Sequence, residues 1–198
     1  MLENVMSALS TERGHFLLES GFHGAMWMNL ETLFLRPENI EPLAITLATR
    51  VRPIGPEIVC APLVEGAFLG LMIARALDLP FTYSERYEQH SAGGLYPFGY
   101  RVPVALRTHL ARKRVLIVND VISAGSAVQG TIGDVRVAGG VCVGIASLLV
   151  LGEWTAQFAT AENLTTEALA KAPYEVWSPG ACPLCASGTP LERRVQSE

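Results

Sequence analysis

Helically spaced apolar positions and short unbroken apolar runs succeed one another along the chain, and the switches between them mark out its elements. Leu2–Leu9 has helical spacing, with Gly14 as a stop signal. HFLLESG (15–21) and MWMNL (26–30) are short apolar runs parted by glycines, which predicts a hairpin or two small strands. Pro37 opens a helix to about Thr49, since Leu43, Leu47 and Val51 recur at intervals of four. EIVCAP (57–62) reads as a buried strand closed by proline. Glu65 to Leu77 reads as a helix that ends at Asp78-Leu79-Pro80, and FTYS (81–84) as a short strand.

Residues 85–100 mix charge, aromatics, glycine and proline, the character of a long functional loop. PVALRTHL (103–110) predicts a short helix and RVLIVND (114–120) a strand. Gly125–Val137 predicts a helix, Val141–Leu151 a strand, and YEVWSP (174–179) a last strand. Strands apolar on both faces, alternating with helices, predict an α/β fold: a central, mostly parallel sheet flanked by helices. No internal repeat or low-complexity segment interrupts the pattern.

The composition narrows the classes of partner. A chain of 198 residues, 49% hydrophobic and 17% charged, suffices for one well-packed domain. A net charge of -4 offers no basic face for nucleic acid, and Arg112, Lys113 and Arg114 read as a solvated helix end. The most apolar stretch, Val141–Leu151, is too short to span a bilayer, and no basic leader with an apolar core opens the chain. The expectation is a cytoplasmic protein with no membrane partner. Cys60 and Cys142 lie in apolar runs and read as small buried hydrophobes. Cys182 and Cys185 form a CPLC pair, half of a structural zinc site, whose other half is expected only from another subunit. Free thiols in a turn are the expectation for a reducing compartment.

The chemistry concentrates in RVLIVNDVISAGSAV (114–128). A buried strand ends in Asn119-Asp120, and a turn of very small residues leads into a helix. In an open parallel sheet, ligands gather at the carboxyl ends of strands, where helix N-termini point into the crevice. The amides of Ala124, Gly125, Ser126 and Ala127, with the Ser123 and Ser126 hydroxyls, suit a phosphate group. Asp120 suits vicinal sugar hydroxyls, or a magnesium ion held through water.

This stretch resembles the phosphoribosyl-pyrophosphate motif of the type I phosphoribosyltransferases, most closely the orotate branch. ESGFHGAMWMN (19–29), GPEIVCAPLVEGAFLGLMIARALDLPF (55–81) and CPLCASGTPLE (182–192) are similar to further segments of that branch, in the same order. The resemblance implies a single domain with a core of about 36–151 under a small hood from about 1–35 and 152–198. It implies transfer of ribose 5-phosphate from phosphoribosyl pyrophosphate to a base nitrogen, with Mg2+, in a homodimer. No side chain is assigned as a direct magnesium ligand.

Carried over, Ser123, Ala124, Gly125, Ser126 and Ala127 hold the 5-phosphate, and Asn119 and Asp120 face the ribose. Val64, Glu65 and Gly66 form the pyrophosphate loop, while His23, Trp27, Met28 and Ser123 face the base. The loop from Glu85 to Arg101 is the lid, with Arg86 and His90 joining Asp120 as catalytic candidates. The chain departs from the family pattern in four places. Asn119 replaces an acid, Glu65 a glycine and Leu151 a carboxylate-binding arginine, and the lid is poor in lysine. Three readings therefore stay open: an orotate enzyme, a transferase for another base, and a non-catalytic phosphoribosyl pyrophosphate or nucleotide sensor.

Overall fold

In the computed structural model, which describes residues 5, 9–89 and 95–194, two short apolar runs lie side by side at the centre of a sheet. They are β3 (Ile58–Pro62) and β6 (Arg114–Ile122), paired in parallel with Ile58 opposite Val115. Each sends alternate residues to opposite faces. Val59, Ala61, Leu116 and Val118 join one core, while Ile58, Cys60, Val115 and Ile117 join the other. Helices α1 (Pro37–Val51) and α2 (Glu65–Leu77) contribute Leu47 and Ile73 to the first core. Helix α4 (Ser126–Val137) contributes Val128, Ile132 and Val135 to the second; a single turn, α3 (Val104–Arg107), comes before β6. Both faces of the sheet are thus covered, which is why its strands read as continuous apolar runs.

The sheet has six strands in the order β5-β4-β3-β6-β7-β8. Strands β4 (Phe81–Glu88), β7 (Val141–Leu151) and β8 (Thr165–Ala172) run parallel to their inner neighbours, and only β5 (Phe98–Arg101) is antiparallel. The chain winds outward from β3 in one direction and from β6 in the other. The gap between these strands is therefore the topological switch point where α/β sheets bind ligands.

A second sheet of four strands, order β10-β1-β2-β9, forms the hood. Strands β1 (Ser10–Leu17) and β2 (His23–Asn29) are the expected hairpin, while β9 (Val176–Trp177) and β10 (Glu192–Arg193) come from the tail. Residues 152–172, expected in the hood, belong instead to the core as α5 (Trp154–Glu162) and β8. Helix α5 offers a single apolar i,i+4 pair, Trp154 and Phe158, which stack at 4.7 Å. Apart from Leu169, strand β8 is built of alanine, lysine, glutamate and threonine, and its pairing with β7 overrides weak strand propensity. The helix expected over 2–9 falls, apart from Val5 and Leu9, outside the described residues. Among the described residues no helix is long and apolar enough to cross a membrane.

Candidate active site

Strand β6 runs past Asp120 to Ile122, and Ser147 on β7 fixes its end by donating a hydrogen bond to the Asp120 carbonyl at 2.8 Å. Asp120 is 3% exposed, and its carboxyl Oδ2 has no partner among the described residues. Burial pushes its pKa up to about 7. The Val121 amide pulls the other way, and nearby Glu65 adds to the rise. Asn119 donates from Nδ2 to the Val121 carbonyl at 3.0 Å, a bond an ionised carboxylate could not make.

The small-residue turn has a packing reason as well as a chemical one. Gly125 caps α4 with φ +74, and a β-carbon there would lie 2.1 Å from the Trp154 ring. The backbone needs the left-handed region, and the indole occupies the space a side chain would take. The Ser123 hydroxyl is buried and without a partner among the described residues. Helix α4 also holds the neighbouring strands. Thr131 bonds Ser84 at 2.6 Å, and Asp134 accepts from the Val102 amide at 2.7 Å and from Arg107 at 2.6 Å.

Across the switch point, Val64, Glu65 and Gly66 form the start of α2. A β-carbon on Gly66 would sit 2.3 Å from Asn119 Oδ1, so this glycine is what lets the two loops meet. Glu65 stands in the first turn, where the helix dipole favours a carboxylate. The N-termini of α2 and α4 therefore open into one cleft of about 710 Å³, with Asp120 on its floor.

The hood supplies the opposite wall through Met26, Trp27, Met28 and Asn29, and Leu151 and Tyr174 also line the cleft. The Tyr174 hydroxyl donates to the Met26 carbonyl at 3.0 Å, which fastens β2 over the core. Buried Ser20 Oγ and Asn29 Oδ1 join Asp120 Oδ2 and Ser123 Oγ as lining atoms without partners among the described residues. Polar atoms left this way are costly unless something enters to meet them.

Glu19, which sequence reasoning did not single out, ties hood to sheet edge. It accepts a short hydrogen bond from the Tyr100 hydroxyl and pairs with Arg86 at 3.6 Å. Burial, with Glu19 alongside, drives the Tyr100 hydroxyl well above its usual range. Arg194, also missed, reaches the cleft while bound to Glu12 and Glu192, each at 2.9 Å. Only its place beside Arg193 near the end of the quoted tail segment marks it in sequence. Among the described lining residues the ionisable acids Glu19, Glu31, Glu65 and Asp120 face the cations Arg86 and Arg194.

Three expectations change. The lid is not a loop throughout: Glu85–Glu88 and Phe98–Arg101 pair as a hairpin, stiffened by Arg86 over Phe98 at 4.5 Å and Arg101 over Tyr87 at 5.4 Å. Arg86 thus stands on a strand, and His90 lies outside the described residues. His23 does not line the cleft. It starts β2, four residues and roughly 13 Å of strand before Trp27. There its Nδ1 lies 3.1 Å from His15 Nε2, in a buried group with Cys182 and Cys185. The CPLC pair, expected as free thiols in a turn with metal binding only if another subunit gives a second pair, has His15 and His23 of this chain beside it instead. The other core and hood candidates, Asn119 to Ala127, Val64 to Gly66, Trp27, Met28 and Arg86, share the one cleft.

No family model matches the chain. The orotate phosphoribosyltransferase of Carboxydothermus hydrogenoformans is 30% identical over 183 residues, covering 90% of this chain and 87% of that protein. Among solved structures, adenine phosphoribosyltransferase from Thermoanaerobacter pseudethanolicus superposes with a TM-score of 0.68 at 16% identity, over 87% of this chain and 100% of that one. Orotate phosphoribosyltransferase from Aeropyrum pernix gives 0.63 at 22% identity, over 86% and 93%. The structures support the fold, and the sequence relative, with the acid-ended strand and small-residue turn, supports the branch: the chain belongs to the orotate phosphoribosyltransferase family.

Proposed function

We propose that the chain transfers ribose 5-phosphate from phosphoribosyl pyrophosphate to orotate, giving orotidine 5'-phosphate and pyrophosphate. The observation that carries this reading is the meeting, in one cleft, of two helix N-termini and a buried aspartate whose Oδ2 has no partner among the described residues. A base nitrogen attacks C1 of the ribose as the bond from C1 to the pyrophosphate oxygen breaks. Positive charge grows on the sugar and negative charge on the leaving group. The α4 turn, residues 123–127, holds the 5-phosphate, and the Glu65 and Gly66 amides meet the pyrophosphate. Ionised Asp120 accepts from ribose hydroxyls and stabilises the developing cation. Trp27, Met28 and Leu151 enclose the base.

The charge balance supports Mg2+ as the cofactor. Pyrophosphate entering beside Glu65 and Asp120, with only Arg86 and Arg194 as described cations, would be repelled without a metal. The hard carboxylate oxygens of Asp120 and Glu65 fit magnesium, directly or through water. The ion would neutralise the leaving group. A homodimer is supported by exposed apolar side chains on one outer face, where Phe68 and Leu71 are 47% and 54% exposed and Phe34 packs on Phe68 at 5.5 Å.

A second reading, transfer to a base without a carboxylate, is favoured by one feature: Leu151 is a buried apolar group on the cleft wall. Calorimetric titration of the protein with orotate, uracil, adenine, guanine and hypoxanthine, each with Mg2+ and phosphoribosyl pyrophosphate, separates the two. Orotate binding alone supports the first; binding of a neutral base with none for orotate supports the second.

A further inference from the structure

Outside the cleft, four side chains from three segments of the hood converge on one point. His15 is on β1, His23 opens β2, and in the tail Cys182 caps and Cys185 sits within a single helical turn, α6 (Pro183–Ala186). Their ligand atoms all lie within 4.8 Å of one another. We propose that His15, His23, Cys182 and Cys185 form a structural zinc site that clips the C-terminal tail onto the hood.

The distances are close to those that metal sets, three of the four falling within its range. Nitrogen about 2.0–2.1 Å and sulfur about 2.3 Å from a tetrahedral zinc stand about 3.3–3.8 Å from each other. Here His15 Nε2 and His23 Nδ1 are 3.1 Å apart, and Cys182 Sγ is 3.4 Å from His15 Nε2. Cys185 Sγ lies 3.3 Å from His23 Nδ1 and 3.7 Å from His15 Nε2. Two thiolates and two imidazoles in a tetrahedral set are a zinc donor set, softer than magnesium accepts.

A hydrogen-bonded cluster without metal explains the same atoms less well. His15 Nδ1 donates to the Thr189 carbonyl at 2.8 Å, which leaves Nε2 with a single lone pair. Three neighbours crowd that lone pair, and only one can donate to it well. A cation at the centre gives each of the four atoms its own bond. The Thr189 contact is the backing that orients a metal-bound imidazole. It comes from the same tail, after Gly188 (φ +74) turns the chain back toward β1. His15, His23 and Cys182 are buried, while Cys185 is exposed and closes the site from outside.

The fold has a use for such a clip. The tail meets the hood through β9 and β10, two residues each, too short to secure it by pairing alone. Beyond the clip the chain continues to Arg194 at the cleft, so the metal fixes one wall of the substrate site from a distance. The proposal rests on geometry outside the cleft and does not depend on which base is transferred.

The test is elemental analysis of the full-length protein purified without chelator, beside a Cys182→Ser/Cys185→Ser double variant and a Cys142→Ser control. About one zinc per chain is expected in the native protein and the control, and none in the double variant. Should the double variant fail to fold, the native protein stripped by chelator under reducing conditions is titrated with cobalt(II). Saturation at one equivalent, with tetrahedral d–d bands and thiolate charge transfer, is the expected result. No saturable cobalt binding by the reduced protein, or stoichiometric metal retained by a folded double variant, would overturn the proposal.

Discussion

The core wall of the cleft stands on a six-stranded sheet buried on both faces, whereas the hood wall stands on a four-stranded sheet in which two strands are two residues long. On the core side, Asp120, Ser123 and Gly66 are placed by continuous apolar packing and by backbone hydrogen bonds. On the hood side, Trp27, Asn29 and Arg194 depend on a few polar anchors: Glu19 with Tyr100 and Arg86, Tyr174 with Met26, and the His15–His23–Cys182–Cys185 group. The core wall should therefore fail as a unit with the protein, and the hood wall should loosen separately.

The largest expected effect is on the core wall. Gly125→Val forces a β-branched residue to φ +74 against Trp154, and is expected to cost about 3 kcal/mol or more, with loss of phosphoribosyl pyrophosphate binding. Urea denaturation and titration calorimetry read both. A variant that binds normally would show that the turn does not hold the phosphate.

Asp120→Asn is expected to lower kcat/KM by about a hundredfold, as removal of one transition-state charge partner does. Its pH dependence sharpens the point. Because the folded pKa stands near 7 and the ordinary carboxyl value is 3.8, the native state holds this proton more tightly than the unfolded chain does. The carboxyl's contribution to stability is therefore complete below the ordinary value and lost as pH rises through about 7. Relative to wild type, Asp120→Asn should melt higher at alkaline pH, with the advantage shrinking toward pH 4. The wild-type rise of kcat/KM through neutrality should be missing from the variant.

On the hood side, chelation of the native protein should raise amide exchange over residues 176–194 and 10–29 by tens of fold and leave 114–122 protected. Equal deprotection of both walls would end the distinction drawn here. Smaller effects are expected at the cations. Arg86→Gln should lower kcat/KM about tenfold, since its partner Glu19 is left facing the cleft. Arg194→Gln should raise KM for the base about threefold or less, its ion pairs being largely solvated.

The same division governs how much was legible in the sequence. The strand from Arg114 and the helix Glu65–Leu77 follow from an unbroken apolar run and a period near four, and the small-residue turn from local chemistry, though the strand runs two residues beyond the expected end at Asp120. Segments α5 and β8 stayed hidden because alanine-rich residues carry weak signals and pairing with β7 decides their state. Of the His15–His23–Cys182–Cys185 group only the cysteine half was legible, for a different reason: His15 and Cys182 are separated by 167 positions, and only the hood's folding brings them together. Family likeness brought His23 to notice, but for the base; its partner is His15.

The measurement that tests the central claim most directly follows orotidine 5'-phosphate and pyrophosphate together, using purified protein with Mg2+, phosphoribosyl pyrophosphate and orotate. Equimolar appearance of both products, abolished by omitting Mg2+ and by Gly125→Val, is the predicted result. Orotate left unconsumed, with no pyrophosphate released at saturating substrate, would contradict the account.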